Sequence, residues 1–246
     1  MKLTDEQIRK GYWYYNPDKN FPPNGKLLDE YTGEESLNLF SIKGNESISQ
    51  IKNRENFYAI NIPSKLNSLK ILWTSHINQE IFDSICQLEK LESLYIESGK
   101  ILNINAISNL KNLKHLGLLS LTKVENIKPL ATLTQLETLE LENLKKISDF
   151  KLLSELINLK GLQIDGDMYT AQRIENFNFL KPLSKLKYLT FTNSKANDKN
   201  FNAISKLENL EMLQSSTNYP KKEFQKLCGM KNLKYIGENI KHLINN

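Results

Sequence analysis

The stretch Leu133-Thr-Gln-Leu136-Glu-Thr-Leu139-Glu-Leu141 decides the fold of this chain. Its leucines stand three positions apart and then, at the end, two positions apart, and the period of three extends back to Val124. A period of three matches neither an α-helix, with 3.6 residues per turn, nor a β-strand, with a period of 2. The stretch therefore predicts a chain that turns repeatedly around a narrow axis, and its final switch to period two predicts one short strand per unit.

The same pattern recurs along most of the chain. The first leucine of each unit, or its methionine equivalent, stands at Leu66, Leu88, Leu110, Leu133, Leu156, Leu183, Leu207 and Met230. Successive positions are 22 to 27 residues apart, and a fixed period in this range with this leucine pattern is the signature of leucine-rich repeats. Over roughly residues 60–240 the sequence resembles the leucine-rich-repeat family, and its short units of 22–23 residues resemble the internalin-type branch most.

The resemblance implies an α/β fold, a right-handed horseshoe-shaped solenoid with a concave parallel β-sheet and 3₁₀ or turn segments on the convex side. One departure concerns the asparagine that the family places three residues after the last apolar position of each strand, where it bonds neighbouring turns. Here only Asn218 conforms. The full column reads Ile77, Gly99, Leu121, Leu144, Asp167, Ser194 and Asn218.

A stack of repeats exposes core side chains at both ends, so caps are expected. We assign residues 1–60 to an N-terminal cap that either includes or lacks a degenerate first repeat, residues 61–240 to a solenoid of about eight repeats, and residues 241–246 to a C-terminal cap. Thr4 to Gln7 fits a capping box before a short helix. The aromatic residues 12–15 are expected to pack against the first repeat, with a ligand platform as the alternative. Residues 37–42 and 57–62 are read either as strands or as parts of a degenerate repeat.

Composition narrows the class of protein. The 246 residues carry a net charge of +5 and two cysteines, Cys86 and Cys228, which are too few for a disulfide scaffold and are expected to be free thiols. The N-terminus lacks the apolar core of a secretory signal, and no apolar run is long enough to span a membrane. We therefore expect a cytoplasmic monomer, while export by a specialised secretion system stays open.

Residues that alternate with the buried leucines of each strand are expected to face a partner on the concave side. This face carries four carboxylates and no lysine or arginine, although the chain as a whole is basic. It therefore disfavours nucleic acid and favours a protein with a basic surface; no membrane partner is expected. The candidate binding residues are Trp73, Tyr95, Glu97, His115, Leu119, Glu140, Glu142, Gln163, Asp165 and Tyr188. The position one residue before each strand is occupied by a mixture of lysines and glutamates, which we interpret mainly as structural support and solvation.

The longest unit contains extra residues between Asp165 and Ile174. We expect them to leave the stack as a loop, which is either a second binding element or a neutral insertion. Asp165 and Asp167 lack the further oxygen ligands of a calcium site, and no histidine pair or zinc spacing occurs. The sequence therefore predicts no metal, no cofactor and no catalytic residue.

Three functional hypotheses remain. The first is a non-enzymatic protein-binding module, in a specific version an immunity or inhibitor protein that neutralises a basic partner. The second is an exported, internalin-like effector or adhesin that binds a host protein. The third and most remote is a hydrolase that uses carboxylates such as Glu140 and Glu142.

Overall fold

The computed structural model describes residues 3–9, 24–41 and 44–244. Nine of the described strands form one open parallel sheet in the order β1-β2-β3-β4-β5-β6-β8-β10-β11, and β7 pairs with β9 in a small second sheet. This arrangement confirms the predicted leucine-rich-repeat solenoid. The strands are β1 (Ser36–Phe40), β2 (Ile71–Asn78), β3 (Ser93–Lys100), β4 (His115–Leu119), β5 (Thr138–Glu142), β6 (Gly161–Asp165), β7 (Gln172–Ile174), β8 (Tyr188–Phe191), β9 (Ser194–Ala196), β10 (Met212–Ser215) and β11 (Tyr235–Ile236).

The inward leucines of successive strands stack directly on one another. Leu139 pairs in register with Leu116 on one side and Leu162 on the other, and all three are buried. Each such side chain stabilises the fold by about 1.5–3 kcal/mol when it is removed from water. Because every repeat supplies the same column, the core is one continuous apolar cluster from Leu28 to Ile244.

The convex side changes along the stack. Its α-helices are α2 (Ile48–Lys65) and α3 (Gln79–Ile85) near the start and α4 (Lys221–Gln225) and α5 (Glu238–Ile244) at the end. Between them lie short 3₁₀ segments, at Asn105–Asn109, Lys128–Thr132, Lys151–Glu155, Asn178–Leu180 and Ile204–Lys206. A side-chain oxygen two residues before the 3₁₀ turn accepts from its first backbone N–H, as Asn126 does from Lys128 at 2.9 Å. Among the described residues, no helix is long and apolar enough to cross a membrane.

The sheet begins inside the segment that the sequence assigned to the N-terminal cap. β1 pairs in parallel with β2, from Ser36 opposite Ile71 to Phe40 opposite Ser75. Residues 57–62 lie within α2, so the alternative of a strand there is wrong. The helix forms because Ser47 and Gln50 make a reciprocal capping box at its start. The clustered aromatics at 12–15 lie outside the described residues.

The turns after five of the strands contain a residue in the left-handed conformation, one position before the family's asparagine column. The positive-φ positions directly after the outward residue at the strand end are His76, Ser98, Ser120, Asn143 and Asn193. The next residue then points inward, so Ile77, Leu121 and Leu144 are buried where the family has asparagine. Asparagines bond neighbouring repeats at another corner, two residues before the lysine or glutamate that precedes the strand; Asn112 donates to the Glu89 carbonyl at 2.9 Å and Asn158 to that of Thr134 at 2.9 Å.

Candidate functional site

The parallel register arranges the outward side chains of the concave face in three rows. The start row is Ile71, Ser93, His115, Thr138, Gly161, Tyr188, Met212 and Tyr235. The central row is Asn38, Trp73, Tyr95, Gly117, Glu140, Gln163, Thr190 and Gln214. The end row is Phe40, Ser75, Glu97, Leu119, Glu142 and Asp165. All ten candidate residues therefore stand on the face that strand alternation predicts.

The expectation that this face is open to solvent is wrong at more than half of those positions. The buried candidates are Tyr95, His115, Leu119, Glu140, Asp165 and Tyr188. Trp73, Glu142 and Gln163 are partly buried, and Glu97 is exposed. The reason is that outward side chains on adjacent strands cover one another or are covered by distant parts of the chain.

An aromatic pair covers the start of the sheet. The rings of Trp73 and Tyr95 meet edge to face with centroids 5.5 Å apart. The Tyr95 ring extends over Gly117 on the next strand, and a Cβ at that position would overlap the ring. Glycine at 117 is therefore what allows Tyr95 to lie flat against the sheet.

His115 is held in its neutral form. Its Nδ1 is 2.9 Å from the Thr138 hydroxyl, and its ring is fully buried. Burial lowers the pKa of His115 to about 4, because the desolvated charged form is disfavoured. Its Nε2 has no hydrogen-bond partner in the described structure. We therefore assign His115 a packing role in the start row and not an acid–base role at neutral pH.

The end row contains three acidic side chains, Glu97 on β3, Glu142 on β5 and Asp165 on β6. Burial raises the pKa of Glu142, and the nearby charges of Asp167 and Glu97 raise it further. Burial raises the pKa of Asp165 to about 7, against the opposing effect of hydrogen bonds from the Thr192 backbone N–H at 2.6 Å and hydroxyl at 2.8 Å. The carboxylates are thus close enough to repel one another.

Two of these carboxylates have no counter-ion within the described part of the chain. Neither Glu97 nor Glu142 forms an ion pair with any of the residues that the structure describes. The row of lysines and glutamates before the strands behaves differently, since each of its glutamates pairs with a lysine of a neighbouring repeat. These pairs are Lys70–Glu35 at 2.5 Å, Lys114–Glu92 at 2.8 Å, Lys160–Glu137 at 2.7 Å and Lys187–Glu211 at 3.3 Å.

The inserted loop stands beside the acidic end row. Asp167 accepts from the backbone N–H groups of Tyr169 at 2.8 Å and Thr170 at 2.5 Å and from the side chain of Asn143 at 2.7 Å. At Gly166 a Cβ would overlap the carbonyl oxygens of Thr170 and Asn193, so only glycine fits there. These bonds hold the loop in one shape.

Gln172 closes the loop against the solenoid. Its buried side chain accepts from the Leu144 N–H at 2.9 Å and donates to the Ile147 carbonyl at 2.7 Å. The extra residues then continue into β7, which pairs with β9. Asp167 and Gln172 were not among the candidate residues; their position inside the longest repeat was the one sequence signal for them.

The tip of the loop is apolar and exposed. Met168 and Tyr169 have exposed fractions of 85% and 90%. Large apolar side chains that project from a rigid loop are typical of interaction surfaces. This loop therefore extends the concave acidic region with an apolar element.

Residues 3–9 cover the far end of the concave face. The capping box between Thr4 and Gln7 forms as predicted, with the Thr4 N–H donating to the Gln7 side chain at 2.8 Å, and it opens α1 (Asp5–Arg9). Ile8 of this helix packs with Tyr188 and Met212 in an apolar cluster of its own. Tyr188 is thus inaccessible in this arrangement, for a reason that no local pattern showed.

Possible metal ligands and reactive thiols were sought among the residues that the structure describes. No three histidine, cysteine, aspartate or glutamate side chains gather there as a metal site would require. Cys86 is buried, Cys228 is exposed, and both are free thiols. Burial raises the pKa of Cys86, which makes it a poor nucleophile.

Comparison with known proteins supports the fold. No family model matches the sequence, and no curated protein does. Solved structures do match, among them an internalin (inlF) from Listeria monocytogenes with a TM-score of 0.52 and 20% identity, covering 94% of this chain and 66% of that one. A leucine-rich-repeat protein from Leptospira interrogans matches with a TM-score of 0.52 and 23% identity, over 69% of this chain and 42% of that one.

A third match is the mouse RP105/MD-1 complex, with a TM-score of 0.50 and 17% identity over 82% of this chain and 37% of that one. This chain thus spans less than two thirds of the length of each of these three proteins. The structural match shows a shared leucine-rich-repeat fold. Because all three identities are below 25%, it shows the fold alone.

Proposed function

We propose that this leucine-rich-repeat chain is a protein-binding module, and that its acidic end row together with the 166–171 loop binds a partner protein with a basic surface. The observation that carries the proposal is the contrast between two rows of charges. The glutamates before the strands are neutralised by lysines of adjacent repeats, whereas Glu97 and Glu142 have no cation among the described residues. Mutual repulsion of this kind is relieved when a lysine or arginine of a partner arrives.

The geometry supports a pre-formed surface. Glu97 stands on β3, Glu142 on β5 and Asp165 on β6, in one row in which Leu119 of β4 separates the first two. Strands about 4.8 Å apart give these acidic side chains a fixed spacing. The adjoining loop is held by hydrogen bonds from Asp167 and Gln172. Little conformational entropy is then lost on binding, which favours affinity.

The apolar tip of the 166–171 loop is expected to supply binding affinity that the charges alone do not. Charge complementarity raises the rate of association and the specificity more than it raises affinity. Buried aromatic and apolar anchors usually provide most of the affinity of an interface. We assign this role to Tyr169 and Met168, which would enter a pocket of the partner beside its cationic groups.

A specific version of the proposal is an immunity or inhibitor protein that neutralises a basic partner. The acidic row and the pre-formed loop suit that role, and the partner's identity has to come from capture. The notion of a hydrolase gains no support from Glu140, because that carboxylate is buried and bonded to the Gln163 side chain at 3.1 Å.

The experiment is affinity capture from native lysate followed by mass spectrometry, with the full chain as bait. The test variant is Glu97→Lys with Glu142→Lys, and the control variant is Glu89→Lys with Glu155→Lys, which reverses the same number of charges at exposed glutamates on the convex side. We expect the test variant to lose a specific basic protein that the control retains. Raising the salt from 0.1 to 0.5 M should weaken the complex as well, because Glu97 is exposed and Glu142 is only partly buried.

A second variant isolates the loop. Met168→Ser with Tyr169→Ser leaves the acidic row intact and is expected to shorten the lifetime of the complex while the association rate stays nearly unchanged. If the two charge-reversal variants capture the same proteins equally well, the assignment of the acidic row as the binding surface is wrong.

A further inference from the structure

The C-terminal end of the concave sheet carries a second surface that differs from the acidic row. We call it the helix-docking face, and it consists of Lys187, Tyr188, Met212 and Tyr235. Tyr188, Met212 and Tyr235 are aligned on three successive strands of the start row. Lys187 directly precedes β8. The face thus combines an apolar strip with a cation at one side.

The chain's own helix α1 occupies this face. Leu3 and Ile8 pack on Tyr188 and Met212 and form an apolar cluster separate from the main core. Ile8 is completely buried, although its helix has only five residues. A helix this short is not stable in water by itself, so its helical form depends on the contact with the sheet.

Polar contacts fix the direction of α1 across the strands. The Asp5 carboxylate is 2.5 Å from the Lys187 ammonium group. Four residues later, the Arg9 guanidinium lies 4.2 Å from the centroid of the Tyr235 ring, as a cation–π pair. Residues four apart share one side of a helix, so α1 spans the strands from β8 to β11 with its acidic end at Lys187 and its arginine at Tyr235.

The docking is built like a peptide complex and not like core packing. It uses two buried apolar side chains, Leu3 and Ile8, a partly exposed ion pair and a cation–π contact, over seven described residues. Short amphipathic helices bind partner proteins through the same set of contacts. A segment attached to the same chain competes as a ligand at high effective concentration.

We propose that the helix-docking face is a binding site for a short amphipathic helix, and that residues 3–9 are its intramolecular ligand, which a partner protein displaces. The partner helix would carry an acidic residue, an apolar residue three positions later and an arginine directly after it, as Asp5, Ile8 and Arg9 do. Access to this face is then controlled by the chain's own N-terminal segment. The proposal does not depend on the acidic row, since the two surfaces share no residue.

The test measures binding of a labelled peptide, residues 1–9 of this sequence with an amidated C-terminus, by fluorescence anisotropy. The receptor is the full chain as wild type, as Ile8→Asp and as Ile157→Asp. The first substitution places a charge in the apolar cluster and releases α1. The second makes the same change at a convex position that is 53% exposed. We expect Ile8→Asp to bind the peptide at least tenfold more tightly than wild type, and Ile157→Asp to match wild type.

A charge exchange tests the geometry of the site in the chain from which α1 has been released. In the Ile8→Asp chain, Lys187→Glu should weaken the peptide at least threefold, and a peptide with Asp5→Lys should recover that loss. Hydrogen exchange at the amides of β8 and β10 verifies that the sheet of each variant is intact. Equal affinity of wild type and Ile8→Asp for the peptide, with intact sheets, would overturn the proposal. So would a concentration-dependent dimer of the wild type that Ile8→Asp abolishes, because α1 would then belong to a second copy.

Discussion

The middle and the C-terminal end of the concave face belong to the same sheet in the same register and differ in what lies on them. Around β3 to β6 the end row carries carboxylates, two of which have no cation within the described chain. Around β8 to β11 the start row carries Tyr188, Met212 and Tyr235 beneath α1. Strand alternation assigned both groups to the concave side. It did not determine which group is exposed, because exposure also depends on segments far away in the sequence.

The largest change in the free energy of unfolding is expected at Asp165, in the acidic end row. Its folded pKa of about 7 exceeds that of an unfolded aspartate, 3.8, so between these values the fold retains a proton that the unfolded chain releases. Stability therefore falls as pH rises through this window, by about 4 kcal/mol at most. Asp165→Asn keeps the partners for Thr192 and should match wild type at pH 4 and exceed its free energy of unfolding at pH 8.5 in urea titrations. A difference that is the same at both pH values would show that the carboxylate is not strained.

The next largest change in stability is expected at His115, and its dependence on pH is opposite to that of Asp165. Its folded pKa of about 4 lies below the ordinary value of 6.5, so the unfolded chain takes up a proton first as the pH falls. Its contribution is fully present above pH 6.5 and is lost toward pH 4, amounting to about 3 kcal/mol. His115→Asn, which preserves a partner for Thr138, should flatten the loss of stability between pH 6.5 and 5. An unchanged acid slope would contradict a desolvated histidine in the start row.

A smaller effect tests the aromatic pair at the start of the sheet. Gly117→Val should force the Tyr95 ring away from β4 and cost about 1–3 kcal/mol of unfolding free energy, as overpacking does. The matched control is Gly44→Val, where no atom lies within 4 Å of an added Cβ. Thermal unfolding followed by circular dichroism measures both. If the control loses as much stability as the test variant, close packing at Gly117 is not the cause.

The smallest loss of unfolding free energy is expected at the ion pair that joins α1 to the sheet. Lys187→Met removes contacts to Asp5 and Glu211 and should cost less than about 1 kcal/mol, since partly exposed pairs contribute little. The difference should shrink in 0.5 M salt. Lys111→Met, at an exposed convex position, serves as the control and should be neutral at both salt concentrations. A loss above 2 kcal/mol would mean that α1 is part of the core and not a displaceable segment.

The repeat architecture was predictable because it depends on spacing. Leucines at intervals of three and two can be buried together only by a stack of short turns and strands, so Leu116, Leu139 and Leu162 meet in register as the pattern predicts. Alternation within each strand placed all ten candidate residues on one face for the same reason. The start of the short helix Asp5–Arg9 was also predictable from neighbouring residues, since the capping box between Thr4 and Gln7 is a local interaction.

Only the tertiary structure decided what covers that face. Ile8 and Tyr188 are 180 positions apart, and no periodicity relates them, yet their contact buries a residue that alternation alone would leave in solvent. The loop anchored by Asp167 and Gln172 likewise depends on bonds to Asn143 and Leu144 in the preceding repeat. The turns after the strands use left-handed serine and histidine residues instead of glycine, which the ladder of neighbouring repeats holds in place. Spacing along the chain determines the stack, whereas contacts between distant segments determine which parts of its surface are free to bind.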